Sequence, residues 1–390
     1  MHDSHTELQK FVLVLRLLRA FGACSLLLVG TTTCCPQSIE KFVVSRNDKR
    51  HEGFPDLVIA QNGDLVVTYR EADNHSGGPT AIVTRLSSDQ GRTWKDRTVV
   101  AEFPNRARDG KLNCSRIIRL QDNSLLLAVD WIPPGGGENG GVVWLFRSHD
   151  NGRSWKGPNK TSIRGGVVPA LAQLRDGALL AGLSRWGDKS RGSGGQDQLI
   201  FRSTDHGKTW TGPVVLMLPK RQPNEGSFVE LDTGEVVCYI RDDEPSAKNG
   251  MKSISRDGGR TWGSLYGCGA WRFTGRPDVG LLSTGEIFLT TRVGAPQKGH
   301  WFGAYRETQK MALEPTPLDG PVTPGAISFL IEDDTNPVRP DWGYSGWVEL
   351  PDRSIYVVQY ITTAEAPAHK AFIRGYRIPP GYKGFAQARE

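Results

Sequence analysis

Outside its N-terminal segment the chain has no long stretch in which apolar residues recur at helical spacing, which argues against a helix bundle or a helix-covered parallel sheet. It also has no dense basic run. The formal charge of +6 and the pI near 9.0 come from scattered Arg and Lys, so the footprint of a nucleic-acid binder is missing. The eight histidines show no H-E-x-x-H or comparable spacing, and no catalytic metal is expected. The Gly-rich stretches Pro133–Gly141 and Gly187–Gln198 lead into no phosphate-loop helix; they read as loops, and no cofactor is expected. Cysteine is sparse. Cys24, Cys34 and Cys35 fall in the N-terminal segment, and Cys114, Cys238 and Cys268 form an odd set without metal-ligand spacing. That excludes a disulfide framework and leaves buried thiols as the expectation.

What the chain does have is turns and alternation. Gly 46 and Pro 24 suit a turn-rich β fold. Six segments read as hairpins, each with an Asp, Asn or Gly turn between alternating apolar runs. They begin at Leu57, Arg116, Pro169, Ser227, Asp278 and Gly346. A second repeat accompanies them. "SSDQGRTW" (Ser87–Trp94), "SHDNGRSW" (Ser148–Trp155), "STDHGKTW" (Ser203–Trp210) and "SRDGGRTW" (Ser255–Trp262) share the pattern S-x-D-x-G-[RK]-[ST]-W. They follow the first four hairpins at one phase. A ligand loop has no reason to recur once per repeat. The boxes therefore read as structural: Asp accepts from the turn backbone, Gly allows positive φ, and Trp packs between strands.

The N-terminus reads as an export signal. Arg16 and Arg19 precede the apolar run Ala20–Gly30, and small residues follow at Thr31–Thr33. Residues 1–35 are assigned to this signal or to a lipoprotein signal with Cys34 as the lipidated residue. The mature chain is expected to be exported to the periplasm, the outside or a lipid-anchored surface position. It is expected to have no transmembrane segment and to be a monomer.

Six hairpins spaced by one blade's worth of sequence predict an all-β, six-bladed β-propeller over residues 40–385, with four-stranded antiparallel blades and Asp-box turns. "KFVVS" near the start and "AFIRGYRI" near the end are expected to complete the last blade together. In such a ring the open ends of all hairpins share one face. The residues there are rich in Arg, carboxylate and aromatic groups: Arg70, Asp73 and His75; Arg116, Asp130 and Trp131; Arg185 and Trp186; Glu225 and Arg241; Arg276 and Arg292; Tyr344 and Tyr360. Arg forks match carboxylate or sulfate, and aromatic faces suit sugars. The expected partner is an acidic carbohydrate, with some of these Arg residues pairing instead with carboxylates of neighbouring blades.

The boxes in a six-hairpin chain resemble the Asp boxes of the sialidase (neuraminidase) superfamily, and the resemblance covers essentially the whole mature chain. It implies residue roles. Glu225 precedes the fourth hairpin and Arg241 follows it. Tyr344, in a Tyr-Ser pair, precedes the last. Arg276, with Arg292 second, matches a further Arg of the carboxylate-binding triad. Asp73, with Glu71 as substitute, falls at the acid position. Gly53, in "GFPDL", stands where the family places the first Arg of the triad, and Arg70 or Arg116 is the candidate replacement. Trp131, Trp186 and His75, read from their places at the hairpin ends, are further expected substrate contacts, and His75 beside Asp73 reads either as a proton shuttle or as a solvated or structural residue. The resemblance implies a secreted glycosidase that removes a terminal acidic sugar, with Tyr344 as nucleophile, Glu225 as its base and Asp73 as acid. Two alternatives stay open: a non-catalytic propeller that binds acidic glycans, and a lyase acting on uronate-containing glycans.

Overall fold

The computed structural model describes residues 38–382 and 384, apart from 167–169, 187–194, 295–300, 322–325, 334–339, 366 and 368–369. The segment expected to be an N-terminal signal, its three cysteines and the core of the Gly187–Gln198 stretch lie outside the described residues. The rest is a six-bladed β-propeller of four-stranded antiparallel blades. Blade 1 runs through His51–Ile59, Leu65–Ala72, Thr80–Ser87 and Lys95–Phe103, and the next four blades repeat this meander outward from the axis. Their inner strands are Lys111–Arg119, Ala170–Gln173, Pro223–Glu230 and Asp278–Leu281. Blade 6 is built differently. Trp342–Glu349, Ile355–Ile361 and Phe372–Ile378 come from the end of the chain, and Glu40–Ser45 from its start adds the outer strand, antiparallel to Phe372–Ile378. The expected ring closure is thus observed.

The hairpin turns show why the repeat is legible. In every blade the last residue before the turn donates its N–H four residues ahead and accepts from the residue three ahead. Ala60 with Asp64 and Gly63, and Leu350 with Ser354 and Arg353, are the first and last of six such pairs. The residue three ahead takes positive φ. It is glycine in four blades, Asn123 in blade 2 and Arg353 in blade 6.

Each Asp box joins the third strand of its blade to the fourth. In the first, Ser87 Oγ donates to Asp89 Oδ1 at 2.8 Å and accepts from Gly91 N at 2.8 Å. Asp89 in turn accepts from Thr93 N at 2.9 Å and from Thr93 Oγ1 at 2.6 Å. The same bonds recur at Asp150, Asp205 and Asp257. The box glycine has positive φ (+87° at Gly91) and abuts the preceding blade. An added methyl would strike Tyr356 of blade 6 at Gly91, Val66 of blade 1 at Gly152 and Leu180 of blade 3 at Gly259. The boxes therefore cap their own turns and seat one blade on the last. Blade 5 carries a short helix, Gln309–Leu313, at this place. In blade 6 the chain ends replace the connection, which accounts for the two hairpins without a box.

Burial follows the alternation. Apolar clusters fill the seams between successive blades, and Cys114, Cys238 and Cys268 are free buried thiols within them. No helix among the described residues is long and apolar enough to cross a membrane.

Candidate active site

The inner strands are irregular at one level. Their pairing register shifts between Gly53 and Asp56 in blade 1, Leu112 and Ser115 in blade 2, Asn224 and Ser227 in blade 4, and Trp342 and Ser345 in blade 6. A bulge re-aims the side chains it carries. Phe54, Glu225 and Tyr344 all sit in these bulges. Phe54 and Glu225 hold φ of +57° and +51°, a conformation unfavourable for such residues and tolerated only where the surroundings enforce it. For Glu225 the enforcement comes from blade 3: its N–H donates to Ser184 Oγ at 3.1 Å, and Gly226 N donates to Gln198 Oε1 at 2.6 Å.

The bulges bring three expected residues into direct contact. Tyr344 Oη donates to Glu225 Oε1 at 2.6 Å. Arg241 Nη1 donates to Glu225 Oε2 at 2.8 Å and to Tyr344 Oη at 3.2 Å. Asp243 takes the other edge of the Arg241 guanidinium. Burial, reinforced by the Glu225 charge, pushes the Tyr344 phenol well above its ordinary value, so Tyr344 is neutral in the free protein. Burial works against the Arg241 charge, but Glu225, Tyr344 and Asp243 outweigh it and hold the guanidinium protonated.

Arg276 lies beside this group, with its guanidinium carbon 5.6 Å from the Tyr344 ring centroid. It is 1 % exposed. Its Nη2 donates to Ser345 O at 3.0 Å, while Nε and Nη1 are buried without a partner. Burial lowers its pKa from the ordinary Arg value. Two orphaned donors on a buried guanidinium are costly unless an acceptor arrives.

The remaining expected residues divide. Trp186 is partly buried and packs against the larger apolar cluster to which Phe54, Tyr344 and Tyr360 belong. Arg70 is buried under the Phe54 ring at 4.5 Å and spends its Nη atoms on Asn113 Oδ1 and on the carbonyls of Asn74 and His75. It holds the His75 loop in place and presents no free Nη. Arg116 is locked in a buried triad, 3.0 Å from Asp56 and 2.6 Å from Asp278, and ties blades 1, 2 and 5 together across the axis. This is the cross-blade pairing expected for part of the Arg set. The Nη atoms of both residues expected to compensate for Gly53 are thus engaged by groups of the protein itself. Arg292 donates to the carbonyls of Thr274 and Trp342. Trp131 stacks on Trp144 at 4.8 Å and donates to Asp109 O, a packing role within blade 2. Asp73 is half-exposed and ion-paired with Arg50 at 2.8 Å. It makes no hydrogen bond or ion pair with Tyr344 or Glu225. Glu71 is paired with Arg97 instead.

Next to Tyr344 the structure places a group the spacing did not suggest. Asp341 Oδ2 lies 2.9 Å from His51 Nε2 and 2.8 Å from His75 Nδ1, and Asp341 Oδ1 accepts from Tyr360 Oη at 2.9 Å. Phe54 touches His75, Tyr344 and Tyr360, with ring centroids 5.2–5.3 Å away. Burial lowers the pKa of His51. Burial opposes the Asp341 charge, but the bonds from His51 and His75 overcome it and hold the carboxyl well below its usual range. His51, His75 and Asp341 are the residues here with the donor set to hold a metal ion. His51 also fills the space beside Gly53, where a Cβ would lie 2.9 Å from its ring.

Residues 63–291 match the BNR repeat-like domain. The chain belongs to that family. A sialidase of Micromonospora viridifaciens is 26% identical over 247 residues, which are 55% of this chain and 37% of that protein. The BNR chain thus matches little more than a third of that relative's length. A Dyadobacter fermentans protein of unknown function superposes with a TM-score of 0.68 at 20% identity, over 87% of this chain and 98% of its own. A Penicillium chrysogenum α-L-arabinanase complexed with arabinobiose gives 0.59 at 16% identity, over 88% and 99%. A Hadza microbial sialidase gives 0.62 at 19% identity, over 84% of this chain and 66% of its own, so the propeller fold is one found in both a sialidase and an arabinanase.

Proposed function

We propose that this BNR-repeat propeller is a glycosidase of the sialidase type that removes a terminal acidic sugar from glycans. The observation that carries this reading is the Tyr344–Glu225 hydrogen bond of 2.6 Å, with Arg241 donating to both partners. A phenol is a poor nucleophile until a base takes its proton, and Glu225 Oε1 is in place to do so as Tyr344 Oη attacks the anomeric carbon. Arg241 Nη1 steadies the developing phenolate. The bond to the leaving oxygen breaks as the Tyr344 bond forms. Water then attacks the same carbon and gives a proton to the group that had protonated the leaving oxygen, while Tyr344 departs and Glu225 returns the proton it took.

A neutral nucleophile makes sense when the anomeric carbon bears a carboxylate that would repel an anion. Arg276, with two unpartnered buried donors, is the group a substrate carboxylate would satisfy, together with Arg241. The proton for the leaving oxygen falls to the loop after the second strand of blade 1, where Asp73 and His75 lie. Asp73 must first leave Arg50. Export of the mature chain belongs to the same proposal.

The test is release of the aryl group from an aryl α-sialoside by the purified chain beside Tyr344→Phe. Turnover by the wild type, lost in the variant by about 10²-fold or more, is the expected result. No turnover by folded wild type overturns the acidic-sugar reading. An ultraviolet-absorbing unsaturated product from a uronate glycan would identify a lyase instead.

A further inference from the structure

The three donor atoms of His51, His75 and Asp341 lie within 4.8 Å of one another and come from distant parts of the chain. His51 opens the inner strand of blade 1, His75 sits in the loop beyond its second strand, and Asp341 precedes the inner strand of blade 6. No local turn chemistry requires them to meet. Both imidazoles nonetheless aim a ring nitrogen at the same carboxylate oxygen, at 2.9 and 2.8 Å, with the rings at 82° to one another. Ligand atoms of a single ion with bonds near 2 Å are spaced roughly 3 Å apart. The other carboxylate oxygen is held by the Tyr360 hydroxyl, the kind of outer partner that fixes a ligating carboxylate.

We propose that His51, His75 and Asp341 form a binding site for one divalent transition-metal ion, zinc by the chemistry of the donors. Two imidazole nitrogens and one carboxylate oxygen are the ligand set of open metal sites, which keep a further position for water or substrate. His75 is 53 % exposed on its side chain, so the fourth position opens to the outside, and Phe54 separates it from Tyr344 by a single ring. The site also supplies what the first blade lacks. Gly53 offers no side chain, and His51 packs against it. A bound cation here places positive charge near the missing guanidinium and can take a carboxylate or hydroxyl oxygen of the sugar. That role rests on the glycosidase reading; the binding of the ion does not.

The test therefore uses metal alone. The chain is stripped with a chelator and titrated with Zn²⁺ by calorimetry and with Co²⁺ by visible absorption, with no sugar present. Binding of a single equivalent is expected, with a Co²⁺ spectrum of low coordination number. His75→Ala, at an exposed position, should weaken binding at least about tenfold, and Tyr360→Phe by about 10–100-fold through the carboxylate. Asp341→Asn, close in shape, should lose it. Zn²⁺ should raise the melting temperature of wild type and leave that of Asp341→Asn unmoved. Wild type binding no more tightly than Asp341→Asn, or His75→Ala binding like wild type, overturns the proposal and leaves a hydrogen-bonded triad. Because no sialoside enters the assay, its result is independent of whether the glycosidase reading stands.

Discussion

At the scale of single residues, the site depends on side chains held in conformations they would not choose. Glu225 keeps positive φ because Ser184 and Gln198 of the neighbouring blade bind the backbone on each side. Its carboxylate then faces Tyr344 with one oxygen and Arg241 with the other. Glu225→Gln is nearly isosteric and can keep its bond with Arg241, but its amide cannot take the phenol proton. In the proposed reaction this lowers kcat by about 10²–10⁴-fold and leaves KM close to wild type. Steady-state kinetics on an aryl α-sialoside read the split. A variant that raises KM while keeping kcat would show that Glu225 binds substrate and takes no part in the chemistry. Residue roles were only partly legible in the sequence. Glu225, Arg241 and Tyr344 flank hairpins, so the repeat located them. Asp73 was placed by loop position alone, and its pairing with Arg50 depends on a side-chain direction that no spacing records. The donors at positions 51, 75 and 341 are too far apart along the chain for a motif to join them, and only ring closure brings blade 6 against blade 1.

At the scale of elements, legibility was high because each turn repeats its own chemistry. The hairpins and boxes spell out backbone needs, such as positive φ at a fixed offset and a carboxylate that accepts from the turn. The bulges of the inner strands leave no such mark, since a bulge with Phe54 or Glu225 in it looks like ordinary strand. The boxes also carry a pH signature. In the Asp257 box, burial slightly opposes ionisation, but bonds from Thr261 and Ser255 outweigh it and bring the carboxyl down to about 2. A depressed carboxyl stabilises the fold fully above its unfolded value near 4, and that contribution fades as pH falls toward 2. Asp257→Asn should therefore melt below wild type at pH 7, with the gap closing between about pH 4 and pH 2. Calorimetric scans across that range check it. A gap that stays constant with pH would mean the loss comes from geometry and not from the charge.

At the scale of the whole molecule, the ring has one seam that differs from the others. The boxes of blades 2 to 4 seat each blade on its predecessor within continuous chain. Blade 1 meets blade 6 across the chain's two ends, with Tyr356 Oη donating to Gly91 O at 2.7 Å and Glu40–Ser45 paired along Phe372–Ile378. Blade 6 also carries Tyr344, on its inner strand, and Asp341 just before it. Closure and the site thus share a blade. A chain shortened to begin at Asn47 would leave Phe372–Ile378 as an open edge, with a row of unpaired backbone donors and acceptors. It should melt below the full chain and associate through that edge as concentration rises. The inner strand, three strands away, keeps its own pairing with Ile355–Ile361, so below its melting point the shortened chain should retain the Tyr344–Glu225 contact. Light scattering and calorimetry on the two lengths, with sialoside turnover at low temperature, separate these effects. An unchanged melting temperature would show that the outer strand does not close the ring. Lost turnover in a chain that stays monomeric and folded would show that closure positions Tyr344 directly.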